Sequence, residues 1–183
     1  MNFSDRTKLA LVASAKELMK TTPLDKISVT HIVHHCGTTR QTFYRHFKDK
    51  YDLVNWYFDL IVQKTIRRMG VSLTLEEGLI KKFSYMLDDS AFFQSAFSST
   101  DYNNLMHYDY ECILEFYQTV ARQNGEVDDE VIFLLEFYCH GSMDMTEEWI
   151  LNGMKRTPKE MAKLLLDALP EKLIPYFITL KIF

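Results

Sequence analysis

Cysteine, proline and glycine are scarce in this 183-residue chain, at 3, 4 and 6 residues. Cys36, Cys112 and Cys139 form no close pair and leave an odd count, which argues against a disulfide framework and for a reducing cytoplasm. No internal repeat or low-complexity linker interrupts the chain, and the loops look short. β-Branched alternation is absent over any useful length, so strands are not expected. No apolar run is long enough to span a bilayer, and the polar start lacks the pattern of a signal peptide, so a cytoplasmic protein without a membrane partner is expected. There is also no glycine-rich phosphate loop, no nucleophile elbow and no metal-ligand spacing. Nothing suggests an enzyme, and no cofactor or metal is expected.

Apolar residues make up 47% of the chain and aromatics 14%, enough for a globular fold of one or two small domains with a buried core. The net charge of −4 is modest, but its distribution is not. Through Arg68 there are 12 Lys or Arg against 6 Asp or Glu; beyond it there are 9 against 19. A basic head on an acidic body draws the head toward phosphate while the body is repelled.

The chain is organised around Ser28 to Lys50, SVTHIVHHCGTTRQTFYRHFKDK. The pattern predicts two short helices joined by a turn at Gly37, with Ser28 capping the first and Thr38 or Thr39 the second. Gly37 can take the left-handed conformation that a sharp break needs. In the second helix Phe43 and Phe47 share one stripe. Gln41, Thr42 and Arg45 lie opposite, with Arg40 and Tyr44 on one flank and His46 on the other. An aromatic anchor behind a donor-rich face suits a helix that enters a major groove, where Arg and Gln make paired bonds to guanine or adenine edges. A merely solvated amphipathic helix would show the same alternation. His31, His34, His35 and Cys36 invite a metal reading, but one turn of helix supplies few ligands, and a polar outer face is expected instead.

Residues 36–50, CGTTRQTFYRHFKDK, resemble the signature of TetR-family transcription regulators: a glycine, a small hydroxyl residue, a variable pair, threonine, an aromatic, tyrosine, any residue, His-Phe and a basic residue. The wider likeness covers about residues 5–60, with Cys36 in place of a small alanine and Pro23 in place of a glycine. The resemblance implies an all-α fold: an N-terminal three-helix helix-turn-helix DNA-binding domain and a divergent C-terminal helical domain for dimerisation and effector response. It implies contacts to a palindromic double-stranded operator from Thr30, Thr38, Thr39, Arg40, Gln41, Thr42, Tyr44, Arg45, His46, Lys48 and Lys50, with Lys48 and Lys50 at phosphate. Within the family, KDKYDLVNWYF at 48–58 and EEWILNGMKRTPKEMAKLL at 147–165 look like the subgroup that regulates dihydroxyacetone kinase operons. That narrower likeness implies an activator working with a kinase-like coactivator protein. A repressor released by a small molecule bound in its own C-terminal domain is the alternative.

In order, the pattern predicts a helix from Ser4, as cap, to about Lys20, and a DNA-binding domain over 1–50. A connecting helix capped by Asp49 is expected to about Gly70, followed by a regulatory and dimerisation domain over 71–183. A tilt of the connecting helix would move the head relative to its twin and so carry a signal to it. Further helices are expected near 76–88, 91–98, 103–124, 128–153 and 158–168, with a last one at 170–178. Ile132, Leu135, Glu136, Cys139, His140, Met143, Thr146, Trp149 and Ile150, with Met161, Leu164, Leu165 and Ala168, recur at helical spacing. They are expected to form a four-helix homodimer face, unless they simply fill the monomer core.

Overall fold

The computed structural model describes residues 3–181. Its elements are all helical, and α1 to α9 span Phe3–Met19, Val29–Cys36, Arg40–His46, Lys50–Lys64, Leu75–Asp88, Ser90–Phe97, Leu105–Asn124, Asp129–Leu151 and Pro158–Asp167. Short 3-10 turns cover Leu24–Lys26 and Ile66–Arg68, and a longer 3-10 segment covers Glu171–Leu180. No described helix is long and apolar enough to cross a membrane.

Local chemistry sets most boundaries. Ser28 caps α2 in a capping box whose second member is His31: the Ser28 hydroxyl accepts the His31 amide, and the His31 ring accepts the Ser28 amide. Gly37 ends α2 at φ 68°. Thr39, not Thr38, caps α3, and the Asp49 carboxylate accepts the amides of Tyr51 and Asp52 to open α4. Capping boxes at Thr74–Glu77 and Thr157–Glu160 start α5 and α9.

Three expectations are corrected. Ser4 lies inside the first turn of α1 rather than capping it. The connecting helix stops at Lys64, not near Gly70: the Thr65 hydroxyl bonds back to the Ile61 carbonyl, and the chain tightens into a 3-10 turn. The last helix is 3-10 rather than α, with Pro175 inside it, where the ring removes one amide donor.

One continuous core runs from Leu11 and Phe43 in the head, through Leu53, Phe58 and Ile61 of α4, to Phe83, Phe93, Trp149 and Phe177 in the body. The stripe of α8 and α9 expected to face a partner is mostly the inner one. Leu135, Cys139, Met143, Thr146, Trp149, Ile150, Met161 and Leu165 are buried within this chain. The outward row of α8 carries Phe133, Phe137, Gly141 and Met145, with Leu164 exposed on α9.

The head is tied to the body by two acidic hubs. Asp89, between α5 and α6, accepts Lys16 of α1 at 2.6 Å and the Tyr57 hydroxyl of α4 at 2.5 Å. Asp25 accepts the Ser99 hydroxyl at 2.5 Å, the Tyr51 hydroxyl at 3.0 Å and the Thr100 amide at 3.2 Å. Those bonds, Ser99 first, hold its carboxyl below the usual aspartate range despite partial burial. Burial, with Asp25 alongside, pushes the Tyr51 hydroxyl up to about 12.

Candidate nucleic-acid interface

Helix α3 has a buried back and a polar front. Phe43 is fully buried and Phe47 nearly so; their ring centroids are 5.7 Å apart, and Phe47 packs edge-on against Trp56 of α4 at 5.7 Å. Burying two phenylalanines contributes several kcal/mol, about 1.5–3 each, more than a seven-residue helix could supply from its own hydrogen bonds. The anchor therefore holds α3, and its polar side chains are free to face outward.

Gln41 and Arg45, one turn apart, are exposed and bond to no described side chain. Tyr44 is half exposed, with its ring edge-on to Phe43 at 5.5 Å and its hydroxyl 3.5 Å from the Arg40 guanidinium. Thr42 is half-buried, its hydroxyl 3.0 Å from that of Thr39. Thr38 is half-buried in the turn, and Thr30 is exposed in the first turn of α2. His46 is half-buried, with Nδ1 3.5 Å from the Ser4 hydroxyl, while the Lys48 ammonium is exposed beside the α4 N-terminus. These ten residues gather on and around one helix and its preceding turn.

Lys50 does not join them. Its ammonium donates to the carbonyls of Leu24, Asp25 and Ile27 at 2.8, 2.9 and 2.9 Å, which uses all three donors. Partial burial lowers its pKa, against the pull of Asp25, Asp101 and Asp49. The role expected at a phosphate is taken up by bracing the loop before α2. Lys50→Met should therefore lower thermal stability by about 1–2 kcal/mol, the cost of stranding half-buried acceptors. It should leave the slope of log K against log salt unchanged; a lost phosphate contact would reduce that slope by about 0.9.

Sequence reasoning missed two other roles. His31 closes the capping box from the third position after Ser28, a place usually held by Glu or Gln; that spacing was the available signal. His35 pairs with the Ser14 hydroxyl of α1 at 2.7 Å, a contact across 21 residues with no local sign. Both histidines thus serve the head's own structure.

A helix held by buried aromatics after a tight left-handed turn, with Gln and Arg outward on a basic head, defines a helix-turn-helix DNA-binding protein. Residues 11–55 match the family described as bacterial regulatory proteins, tetR family, and residues 74–170 match the transcriptional regulator C-terminal region. The chain belongs to the TetR family and is a DNA-binding transcription regulator that acts at an operator. It is 23% identical over 172 residues to the HTH-type dhaKLM operon transcriptional activator DhaS of Lactococcus lactis, covering 91% of this chain and 92% of that protein. Among solved structures it resembles the dihydroxyacetone kinase operon activator DhaS, with TM-score 0.64, 20% identity and 97% of each chain covered. It also resembles a TetR regulator from Streptococcus agalactiae, with TM-score 0.68, 20% identity and 92% and 96% covered. A third is FadR of Bacillus subtilis in complex with stearoyl-CoA, with TM-score 0.58, 20% identity and 89% and 97% covered.

Proposed function

We propose that this chain is a homodimeric activator of a dihydroxyacetone kinase operon, working with a kinase-like coactivator protein. Residues 1–50 are its reading head and 71–183 its regulatory body, with α4 between them. The observation that carries the operon assignment is the likeness to DhaS along nearly the whole of both chains, body included. Around the buried Lys82 the body leaves no room for a releasing ligand, and its open cleft of about 720 Å³, lined by Trp149, Met161 and Leu165, adjoins the α8–α9 face assigned below to dimerisation. The cavity bounded by Lys82, Tyr117, Tyr138 and Ser142 holds about 20 Å³, room for one water. A small molecule of three carbons would have to displace packed side chains to enter it.

Dimerisation uses the outward row of α8 with α9. Phe133 and Phe137 are 63% and 67% exposed and stack with centroids 6.2 Å apart, and Met145 and Leu164 continue the apolar strip. A twin places two α3 helices on half-sites about 34 Å apart. Base reading falls to Gln41 and Arg45. Thr30, Thr38, Thr39, Arg40, Thr42, Tyr44, His46 and Lys48 position the helix against the backbone, and Lys50 braces the head.

Gln41→Ala or Arg45→Ala should weaken operator binding by about 1–3 kcal/mol and leave random-duplex binding nearly unchanged. Competition titrations read both affinities, and equal losses on the two DNAs would remove these residues from base reading. Gel shifts on the upstream DNA of the operon, with dihydroxyacetone and with or without a purified kinase-like partner, test the activator reading. The expected response needs the partner. A response to dihydroxyacetone alone would make this chain the sensor.

A further inference from the structure

A second polar site lies at the far end of α4. Lys64 and Arg68, at and just past the end of that helix, face Lys81, Tyr85 and Asp88 of α5 across an open groove of about 470 Å³, with Ser72 at its rim. The geometry points to a binding site for a small phosphomonoester in this groove.

Charge is the first support. The body carries far more acid than base, and several of its cations pair with carboxylates: Lys82 with Asp109, Lys163 with Asp167, Lys172 with Glu130. Arg67, beside the groove, pairs with Glu115. Lys64, Arg68 and Lys81 are exposed and make no ion pair with any described residue. Lys64 instead stands 5.8 Å from the centre of the Tyr85 ring. Three cations against Asp88 leave a surplus of two. The α4 C-terminus takes up about half a charge of it. What remains matches a phosphomonoester, which carries about −1.5 to −2 at neutral pH.

Geometry is the second support. Lys81, Tyr85 and Asp88 recur at i, i+4 and i+7, one stripe of α5. An arginine fork suits paired bonds to phosphate oxygens, and the Ser72 and Tyr85 hydroxyls can orient the rest of a polar ligand. The groove has the volume of a small-molecule site rather than a protein interface.

The groove is not part of the DNA surface. Helix α4 has fifteen residues, so Lys64 lies about 20 Å along its axis from the end at the head. That is more than two Debye lengths at physiological salt, about 8 Å each. A ligand bridging the 3-10 turn after α4 to α5 would fix that end of the connecting helix against the body, and so bias the angle of the head. The site stands on this groove alone, whether or not the chain controls a kinase operon.

Calorimetric titration of the full chain tests it, at about 150 mM salt so that loose ion pairing is screened. The probes are inorganic phosphate, dihydroxyacetone phosphate and neutral dihydroxyacetone. The phosphate ester should bind saturably at one per chain, and more tightly than inorganic phosphate; the neutral compound should not bind. Arg68→Gln with Lys81→Gln should weaken the ester at least tenfold, whereas Lys172→Gln should not. Operator binding in the same preparations reports that each variant is folded. The proposal is overturned if millimolar ester fails to bind, if inorganic phosphate binds equally well, or if the double variant keeps wild-type affinity.

Discussion

Phe43→Ala should abolish binding to every duplex, specific or not, by unseating α3. The side chain is fully buried, and its ring sits between those of Tyr44 and Phe47. Truncating a buried phenylalanine costs about 3–5 kcal/mol, through lost transfer energy and the cavity left behind. A whole domain is stable by only about 5–15 kcal/mol, and the helix concerned has seven residues, too few to persist unpacked. Hydrogen exchange should show rapid exchange through α2 and α3 while α7 and α8 stay protected. Tyr44→Ala is the control: its half-exposed ring costs little stability when removed, so exchange should stay near wild type. A Phe43→Ala chain with a protected head and intact DNA binding would mean that another contact anchors the helix.

Lys82→Met should be about as damaging, for a different reason. Lys82 Nζ lies 2.8 and 2.6 Å from the two carboxylate oxygens of Asp109, and both side chains are buried at 5% and 0% exposure. Burial raises the Asp109 pKa, and the Lys82 charge pulls it back down. Removing the ammonium leaves an uncompensated carboxylate in the core, at a cost of about 3–5 kcal/mol. The carboxyl then escapes by holding its proton. The sign follows: with the folded-state pKa above the unfolded value, the folded chain binds the extra proton, so stability is greatest in acid. It falls as pH rises above the ordinary aspartate value, about 4. Denaturant titrations of Lys82→Met at several pH values should show that fall. Adding Asp109→Leu should restore most of the stability and remove the pH dependence, since an apolar pair can replace a buried ion pair at little cost. If Lys82→Met alone were neutral across the range, the pair would not be carrying a buried charge.

Much of the head was legible in the sequence because its signals are local. Ser28, Gly37 and Asp49 each act on near neighbours in the chain, so those caps and the turn can be read directly, whereas Thr38 and Thr39 offer the same hydroxyl side by side and Ser4 proves to lie inside its helix. The Phe43–Phe47 spacing fixes which side of α3 is inside, and thereby which side carries Gln41 and Arg45. Lys50 was misread because its partners lie 23 to 26 residues earlier, brought near by the packing of the loop before α2 on α4. A lysine in a basic run looks the same in sequence whether it points to solvent or to carbonyls. The facing of α8 was obscured by composition. Leu135, Cys139 and Met143 line one side and Phe133, Phe137 and Met145 another, and two apolar stripes on one helix leave its phase open. The Lys82–Asp109 pair spans 27 residues and two helices, and nothing in either neighbourhood distinguishes it from solvated charge.

The central claim is that the outer face of α3 reads duplex DNA. A footprint of the purified chain on the DNA upstream of its own operon tests it most directly. The account predicts two protected half-sites about one helical turn, 34 Å, apart. It also predicts that Gln41→Ala with Arg45→Ala erases the protection while the chain stays folded. Protection that survives that double change, or none beyond that on random duplex, would contradict it.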